Sequence, residues 1–184
     1  MSLVTKIRIF DIIISLIGLI ILFPVFFLIF FLLLFDQKSP LFFQKRVGFN
    51  LKNFTLIKFR TMKISTLSKG THLVDQKNIT VCGHFLRKFK LDEFPQLLNV
   101  IMGDMSLVGP RPCLLNQKKL ISERKKRGVF KVKPGITGLA QIMGVNMKTP
   151  TLLSNIDSKM IKKMNLFYYF YYIFRTTLLI IKYK

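Results

Sequence analysis

The chain begins with a long apolar stretch. Residues 12–35 contain no charged side chain, and Ser15, Gly18 and Pro24 are the only residues that interrupt the hydrophobic pattern. An apolar run of more than about 18 residues is typical of a helix embedded in a membrane. A cleaved signal peptide fits less well, because the run is too long and no small-x-small cleavage site follows it. A buried core helix is the other alternative.

Pro24 divides this stretch into two arms. Each arm of about 12 residues makes roughly 18 Å of helix, which is too short to cross a hydrocarbon core of roughly 30 Å. Lysine and arginine flank the stretch on both sides, which favours a cytoplasmic position for both ends. We therefore predict a re-entrant helix bent at Pro24, with a kinked membrane-spanning helix as the alternative. We also expect Asp11, just inside the apolar boundary, to pair with Arg8 or Lys6.

Beyond the apolar stretch, the pattern is that of a small mixed α/β body. Leu41–Val47 and Phe54–Arg60 are rich in aromatic and β-branched residues and are separated by turn residues, so they predict a β-hairpin. Four further elements are predicted: a polar loop at Ser65–Lys77, a helix capped by Thr80 that ends at Lys88, a helix from about Glu93 to Met102, and a basic helical stretch at Leu114–Arg127.

The last part of the chain is again apolar and aromatic. Four of the five tyrosines lie between Tyr168 and Tyr172, with basic residues on both sides. This composition suits a helix that lies in the membrane interface, although an ordinary core helix is the alternative. We therefore divide the chain into a membrane helix (1–36), a catalytic domain (37–160) and an interfacial helix (161–184).

Composition and charge narrow the class of protein. The chain has 184 residues, of which 51% are hydrophobic, so it is not a disordered chain. Two cysteines do not form a disulfide framework. The 30 basic and 8 acidic residues give a net charge of +22, which suggests anionic lipid, nucleic acid or nucleotide as partner. Nucleic acid is not expected, because no binding motif is visible; a membrane-tethered nucleic-acid binder is nevertheless kept as an alternative.

The candidate chemistry lies where the few acidic residues are. Asp92 and Glu93 are adjacent, and Arg87 and Arg111 are close in sequence. A carboxylate can attack phosphorus to give an acyl-phosphate, and arginine binds phosphate oxygens in pairs. Asp92 could instead cap the helix predicted from about Glu93, and the two interpretations are compatible.

Four motifs, in order along the chain, resemble those of the bacterial sugar transferases. This family contains the small monotopic phosphoglycosyl transferases that start glycoconjugate assembly. The long apolar stretch with its central proline is similar to their re-entrant membrane helix. The motifs are Lys58–Met62, Leu91–Val100, Gly103–Pro112 and Lys133–Gln141.

The resemblance implies an activity and a set of site residues. Such enzymes transfer a sugar 1-phosphate from a UDP-sugar to polyprenyl phosphate and release UMP. Asp92 matches the family's nucleophile, which becomes covalently linked to the phospho-sugar, and also the position that holds Mg²⁺. Glu93 matches its acidic partner. The substrate phosphates are then contacted by basic residues, namely Arg87, Arg111, Lys58 and Arg60.

The resemblance also implies a location and partners. We expect a helix-rich α/β body with a small hairpin, a re-entrant helix and interfacial amphipathic helices, as in a monotopic membrane protein on the cytoplasmic face of the bacterial plasma membrane. The expected partners are the UDP-sugar donor, the polyprenyl phosphate acceptor, anionic lipid, and the downstream glycosyltransferases of exopolysaccharide or other glycan biosynthesis. We expect the chain to be the catalytic module alone.

The chain departs from the family pattern at several positions, of which three bear on the argument. Phe23 precedes Pro24 where the family has serine, Val145 stands where it has arginine, and Tyr169 stands where an acid is expected. The Val145 change removes a potential phosphate contact. An alternative is therefore a catalytically weakened relative that acts as a membrane assembly partner.

Overall fold

A computed structural model describes residues 1–64 and 76–182, apart from the side chains of Gln37, Gln76 and Ile181. Most of the predicted loop at 65–77 lies outside these residues. The helices are α1 (Leu3–Gln37), α2 (Val81–Lys88), α3 (Gln96–Met102), α4 (Lys118–Lys126), α5 (Leu139–Ile142), α6 (Pro150–Lys163) and α7 (Leu166–Lys182). The strands are β1 (Leu41–Val47), β2 (Asn53–Phe59), β3 (Ser106–Val108), β4 (Cys113–Leu114) and β5 (Gly135–Thr137).

The strands form two small sheets, so the fold is a helix-rich α/β body as predicted. One sheet has the antiparallel order β2-β1-β4, and the other pairs β3 with β5 in parallel. The predicted hairpin is confirmed, since β1 pairs with β2 along its whole length. The outer edge of β2 is covered by Asn99 of α3, which accepts from Ile57 N at 3.0 Å and donates to Thr55 O at 2.8 Å. This helix thereby satisfies backbone groups that an edge strand would leave unpaired.

The helices of the body follow the predictions in part. Thr80 caps α2 by accepting from Gly83 N at 3.0 Å, and α2 ends at Lys88 as predicted. The basic stretch forms α4 only from Lys118, because Cys113 and Leu114 pair with β1 as a short strand. The C-terminal pattern was predicted as one helix from Ile161, but the structure has two, α6 and α7, which are separated at Met164 and Asn165.

The apolar stretch lies in α1, which is assigned as one helix of 35 residues with Pro24 inside it. By length and composition it is apolar enough to cross a membrane, and most of its large side chains are exposed. Its two arms both contact the body. Gly18 of the first arm lies against Leu97, and Ile29 and Leu33 of the second pack with Phe59 of β2.

The predicted partner of Asp11 is wrong. Its carboxylate is buried in the body, where Oδ1 accepts from Ser106 Oγ at 3.0 Å, Leu107 N at 2.9 Å and the Tyr169 hydroxyl at 2.8 Å. Arg8 donates instead to main-chain carbonyls at the end of α3, including Ile101 O at 2.8 Å. Because both side chains are taken by the body, the carboxylate is satisfied by hydroxyl and backbone donors rather than by a headgroup-level ion pair.

Candidate active site

A cavity of about 390 Å³ lies where the hairpin, the segment between α2 and α3, and the loop between β3 and β4 converge. One part of its wall is charged and the other is mainly apolar or uncharged. Such a cavity suits a ligand with an anionic and an uncharged part. The charged residues are Arg46, Lys58, Lys90, Glu93 and Arg111, and the others are Leu56, Gln96, Pro112, Gly135, Gln141, Gly144, Val145, Asn146, Met147 and Leu153.

A tight turn places Asp92 beside the charged part of the wall, next to Glu93, Lys58 and Lys90, which line the cavity. Lys90 adopts a left-handed conformation with φ 59°, and a short 3₁₀ turn follows at Leu91–Glu93. Asp92 is thereby directed inward and is only 7% exposed. Its interpretation as a helix cap is wrong, because α3 begins at Gln96 and its N-cap residue is Pro95. Because this turn precedes α3, the helix begins later in the sequence than the start predicted near Glu93.

The Asp92 carboxylate is buried among charges of both signs. Burial and the neighbouring Glu93 carboxylate raise the pKa of Asp92 to about 6, against the opposing effect of Lys58, Arg87 and Lys90. It accepts no hydrogen bond from the part of the chain that the structure describes. At neutral pH the group is therefore mainly a carboxylate.

Glu93 and Arg111 form a close ion pair beside Asp92. Arg111 Nη2 donates to Glu93 Oε1 at 2.6 Å, and the Glu93 side chain is 13% exposed. Burial acts to raise the pKa of Glu93, but Arg111 and Lys90 outweigh it and hold that pKa below its usual range. Glu93 in turn raises the pKa of Arg111. Both residues therefore stay charged. The Arg111 guanidinium thus brings a positive charge to the cavity from the β3–β4 loop.

Lys58 reaches the cavity from β2. It lies on the same strand face as Leu56, and its Nζ is 5.4 Å from the centre of the Phe42 ring on β1. Burial lowers the pKa of Lys58 to about 8, although Asp92 acts in the opposite direction. The structure thus brings together Lys58, Asp92, Glu93 and Arg111, as the sequence predicted for one site.

The two remaining predicted phosphate ligands are placed differently. Arg87 influences Asp92 electrostatically and donates from Nε to Thr61 Oγ1 at 2.8 Å. Arg60 donates to the carbonyl oxygens of Ser39 at 3.0 Å and Leu41 at 3.3 Å. Within the described part of the chain, Arg60 is not among the residues that line the cavity. Its contacts are those of a residue that fastens the end of α1 to the hairpin.

Sequence reasoning missed Arg46, which is a buried residue of the cavity wall. Its Nη1 donates to Pro112 O at 3.0 Å and its Nη2 to Gln44 Oε1 at 2.6 Å. Burial, followed by the charge of Arg111, lowers the pKa of Arg46 to about 10. The available signal was strand alternation, since Gln44 and Arg46 are buried while Lys45 between them is exposed. Lys90, Gln96, Gln141 and Asn146 were missed as well.

The loop that carries Arg111 is held by close backbone contacts. Gly109 N donates to Thr137 O at 2.8 Å, and Gly135 N donates to Pro110 O at 3.0 Å. A Cβ atom on Gly135 would lie 2.0 Å from Gly109 N, so only glycine permits this approach. The fourth motif thus supports the third, and together they fix the backbone from which Arg111 extends.

Comparison with known proteins identifies relatives along the whole chain. The family described as bacterial sugar transferase matches residues 2–183. The exopolysaccharide production protein ExoY of Rhizobium meliloti is 32% identical over 193 residues, which cover 92% of this chain and 82% of that protein.

Two further relatives are similar over shorter regions. The uncharacterized sugar transferase EpsL of Bacillus subtilis is 53% identical over 109 residues, which cover 59% of this chain and 54% of EpsL. The UDP-glucose:undecaprenyl-phosphate glucose-1-phosphate transferase of Xanthomonas campestris is 40% identical over 127 residues, covering 64% of this chain and 25% of that enzyme. The matched region thus spans about half of EpsL and a quarter of the Xanthomonas enzyme.

Proposed function

The chain belongs to the bacterial sugar transferase family, and on that premise we propose that it transfers a sugar 1-phosphate from a UDP-sugar to polyprenyl phosphate. The observation that carries this proposal is the buried Asp92 carboxylate among Lys58, Arg87 and Lys90. Three of the relatives have names that state undecaprenyl phosphate or a lipid carrier. Transfer to a polyprenyl phosphate is the activity that best agrees with both these names and a cavity lined by basic residues.

We propose that Asp92 is the nucleophile. An oxygen of its carboxylate attacks the phosphorus that bears the sugar, so that an O–P bond forms to Asp92 and the bond from this phosphorus to UMP breaks. The phosphate oxygen of the polyprenyl acceptor then attacks the same phosphorus and releases Asp92. Two displacements in series divide one difficult transfer into two easier ones. The cations around the cavity stabilise the negative charge of the transferred group.

Mg²⁺ is the cofactor that we propose for this reaction, with Asp92 as its protein ligand. The described residues contain no group of three His, Cys, Asp or Glu side chains that could hold a metal ion. A single carboxylate such as that of Asp92 fits Mg²⁺, which is often held by one or two carboxylates together with substrate phosphates. Glu93 is engaged by Arg111 at 2.6 Å. When bound, the ion would offset the repulsion between the carboxylate and the substrate phosphates.

The direct test is the nucleotide product. Purified protein in detergent or a membrane disc is mixed with a panel of UDP-sugars, Mg²⁺ and undecaprenyl phosphate. The proposal predicts release of UMP and formation of a lipid-linked sugar diphosphate with at least one donor. Release of UDP would instead indicate transfer of the sugar without its phosphate and would contradict the proposal.

A pH dependence follows from Lys58. Its charge favours binding of the anionic donor and is lost as the pH rises through its pKa of about 8. We therefore expect kcat/KM for the donor, measured as UMP release, to fall above about pH 8. Lys58→Arg should remove this fall, because arginine stays protonated. Lys45→Arg, at an exposed position of β1, is the control that should keep it; a fall that persists in Lys58→Arg would contradict the assignment.

We further propose that α1 is re-entrant and that the body lies on the cytoplasmic face of the membrane. Contacts with the body extend from Arg8 to Leu33, which corresponds to about 37 Å along a helix. This exceeds a hydrocarbon core of roughly 30 Å, so a spanning α1 would carry charged parts of the body into the lipid. Because both arms of α1 contact the same basic body, both ends of α1 are expected on the same side of the membrane.

Cysteine labelling tests this topology. In a variant without Cys82 and Cys113, Ser2→Cys and Lys38→Cys mark the two ends of α1. We expect both to be protected from a membrane-impermeant thiol reagent in intact cells and labelled after the membrane is opened. Labelling of one end alone in intact cells would show that α1 spans the membrane.

A weakened relative is the second candidate, and the position of Val145 favours it. This valine lines the cavity at the place where the family pattern has arginine. A hydrogen bond to a charged group contributes about 1.5–3 kcal/mol. We therefore expect Val145→Arg to raise kcat/KM for the donor by about tenfold, with Val145→Leu as the control of equal polarity. If the arginine variant is no faster, a missing phosphate contact at this position does not limit the enzyme.

A further inference from the structure

Arg124 and Asp157 form a buried ion pair outside the cavity wall. Arg124 on α4 and Asp157 on α6 are 2% and 1% exposed. Arg124 Nε donates to Asp157 Oδ2 at 3.0 Å, and Arg124 Nη2 lies 2.8 Å from the same oxygen. An ion pair buried this far is expensive to desolvate and contributes little to stability compared with apolar packing. Its presence therefore suggests a task other than holding two helices together.

The remaining arm of Arg124 points toward the loop that carries Arg111. Arg124 Nη1 donates to the main-chain carbonyl of Arg111 at 2.7 Å. On the next residue, the carbonyl of Pro112 accepts from the buried Arg46 at 3.0 Å. Two buried guanidinium groups thus hold two consecutive carbonyls of one loop. The Arg111 side chain leaves this fixed backbone and meets Glu93 at 2.6 Å.

We propose that Arg124, oriented by Asp157, is a positioning residue that fixes the Arg111 backbone so that its guanidinium remains on Glu93 at the cavity. The inference rests on the proposed function, in which the cations around the cavity, Arg111 among them, stabilise the negative charge of the transferred group. Arg124 itself does not line the cavity described above. Its effect on the reaction therefore passes through Arg111, and this dependence distinguishes it from a residue that only stabilises the fold.

A double-mutant cycle tests the dependence. Arg124→Lys keeps the charge but cannot reach both Asp157 and the Arg111 carbonyl with a planar fork. We expect it to lower kcat/KM for the donor by about 10- to 100-fold, as for a displaced substrate-binding group. In an Arg111→Ala background, the same substitution should change kcat/KM by less than about twofold, because the group that it positions is already absent. Equal losses in both backgrounds would overturn the proposal.

Arg127→Lys is the matched control. Arg127, directly after α4, also joins this helix to α6, through Asn155, and pairs with Glu123 at 2.6 Å, but among the described residues it has no hydrogen bond to the Arg111 loop. It should leave kcat/KM within about twofold of the original protein. Asp157→Asn provides a second route if Arg124→Lys does not fold, and it must show the same loss and the same dependence on Arg111. If the Arg127 control is active but the effects of Arg124→Lys and Asp157→Asn do not depend on Arg111, this inference alone is overturned. If the unmodified protein releases no UMP, the proposed function is overturned.

Discussion

Replacing Asp92 by asparagine should lower the rate of sugar-phosphate transfer by about 10³-fold or more, because an amide oxygen does not replace a carboxylate as the nucleophile. The substitution preserves the volume of the side chain, so the turn at Leu91–Glu93 should fold as before. The measurement is UMP release from a radiolabelled UDP-sugar in the presence of Mg²⁺ and polyprenyl phosphate. It should be accompanied by binding of the donor, which depends on the cations and should persist.

Asp104→Asn is the control for this experiment. It makes the same chemical change in a carboxylate that accepts from Asn99 at 3.3 Å and belongs neither to the cavity wall nor to the charged groups that act on Asp92. Its activity should remain within about twofold of the original protein. Full turnover by Asp92→Asn would show that Asp92 is not the nucleophile and would contradict the proposed two-step mechanism.

The largest loss of stability is expected from Asp11→Ala. The Asp11 carboxylate joins α1 to β3 and α7 through three buried donors, from Ser106, Leu107 and Tyr169. The substitution leaves all three without their acceptor, at a cost of about 1–3 kcal/mol for each buried group. Allowing for partial relaxation, we expect the free energy of unfolding to fall by about 4 kcal/mol. For a chain of this length that corresponds to a Tm lower by about 10 °C.

Thermal unfolding in detergent measures this effect, and Tyr169→Phe provides a graded comparison. Tyr169→Phe removes only the hydroxyl donor and should cost about 1 kcal/mol, since Asp11 keeps two partners. If Asp11→Ala is no more destabilising than Tyr169→Phe, the carboxylate is not the junction of the three elements. The same result would weaken the argument that the first arm of α1 is fixed to the body.

Features that depend on nearby residues were predictable from the sequence. The β1–β2 hairpin follows from aromatic and β-branched stretches separated by turn residues, and Thr80 caps α2 through a donor three residues away. The grouping of Lys58, Asp92 and Arg111 was predicted because family motifs at separate positions converge on one site. Local patterns therefore predicted most of the body, and motif order predicted three of the charged residues that line the cavity, Lys58, Glu93 and Arg111.

The errors have two causes, a local turn that the pattern did not reveal and contacts that are distant in sequence. Asp92 in front of an apolar run resembles a helix cap, but the left-handed Lys90 adds a separate turn before α3. Asp11 has basic neighbours along the chain, yet its partners lie about a hundred residues or more away. Arg60 donates to the carbonyls of Ser39 and Leu41, contacts that its motif did not indicate, and its predicted phosphate contact stays a prediction. The hydrogen bonds of Asp11 and Arg60 leave no local signal in the sequence.

Buried arginines were the other feature that the sequence concealed. In a chain with 30 basic residues, two arginines that hold a loop cannot be told by residue type from those on the surface. Arg46 is marked only by strand alternation, and Arg124 only by the inward face of a highly charged helix. Their function depends on carbonyl groups, which every residue carries, so the sequence does not indicate which ones they bind.

Mass spectrometry of the protein and of its Asp92 peptide tests the central claim most directly. The protein is mixed with Mg²⁺ and a panel of UDP-sugars without any polyprenyl phosphate, and the peptide that contains Asp92 is then analysed. The account predicts a mass increase equal to one sugar phosphate on that peptide, absent from Asp92→Asn and lost when undecaprenyl phosphate is added. An unmodified protein with every donor, although UMP is released when the acceptor is present, would contradict a covalent Asp92 intermediate.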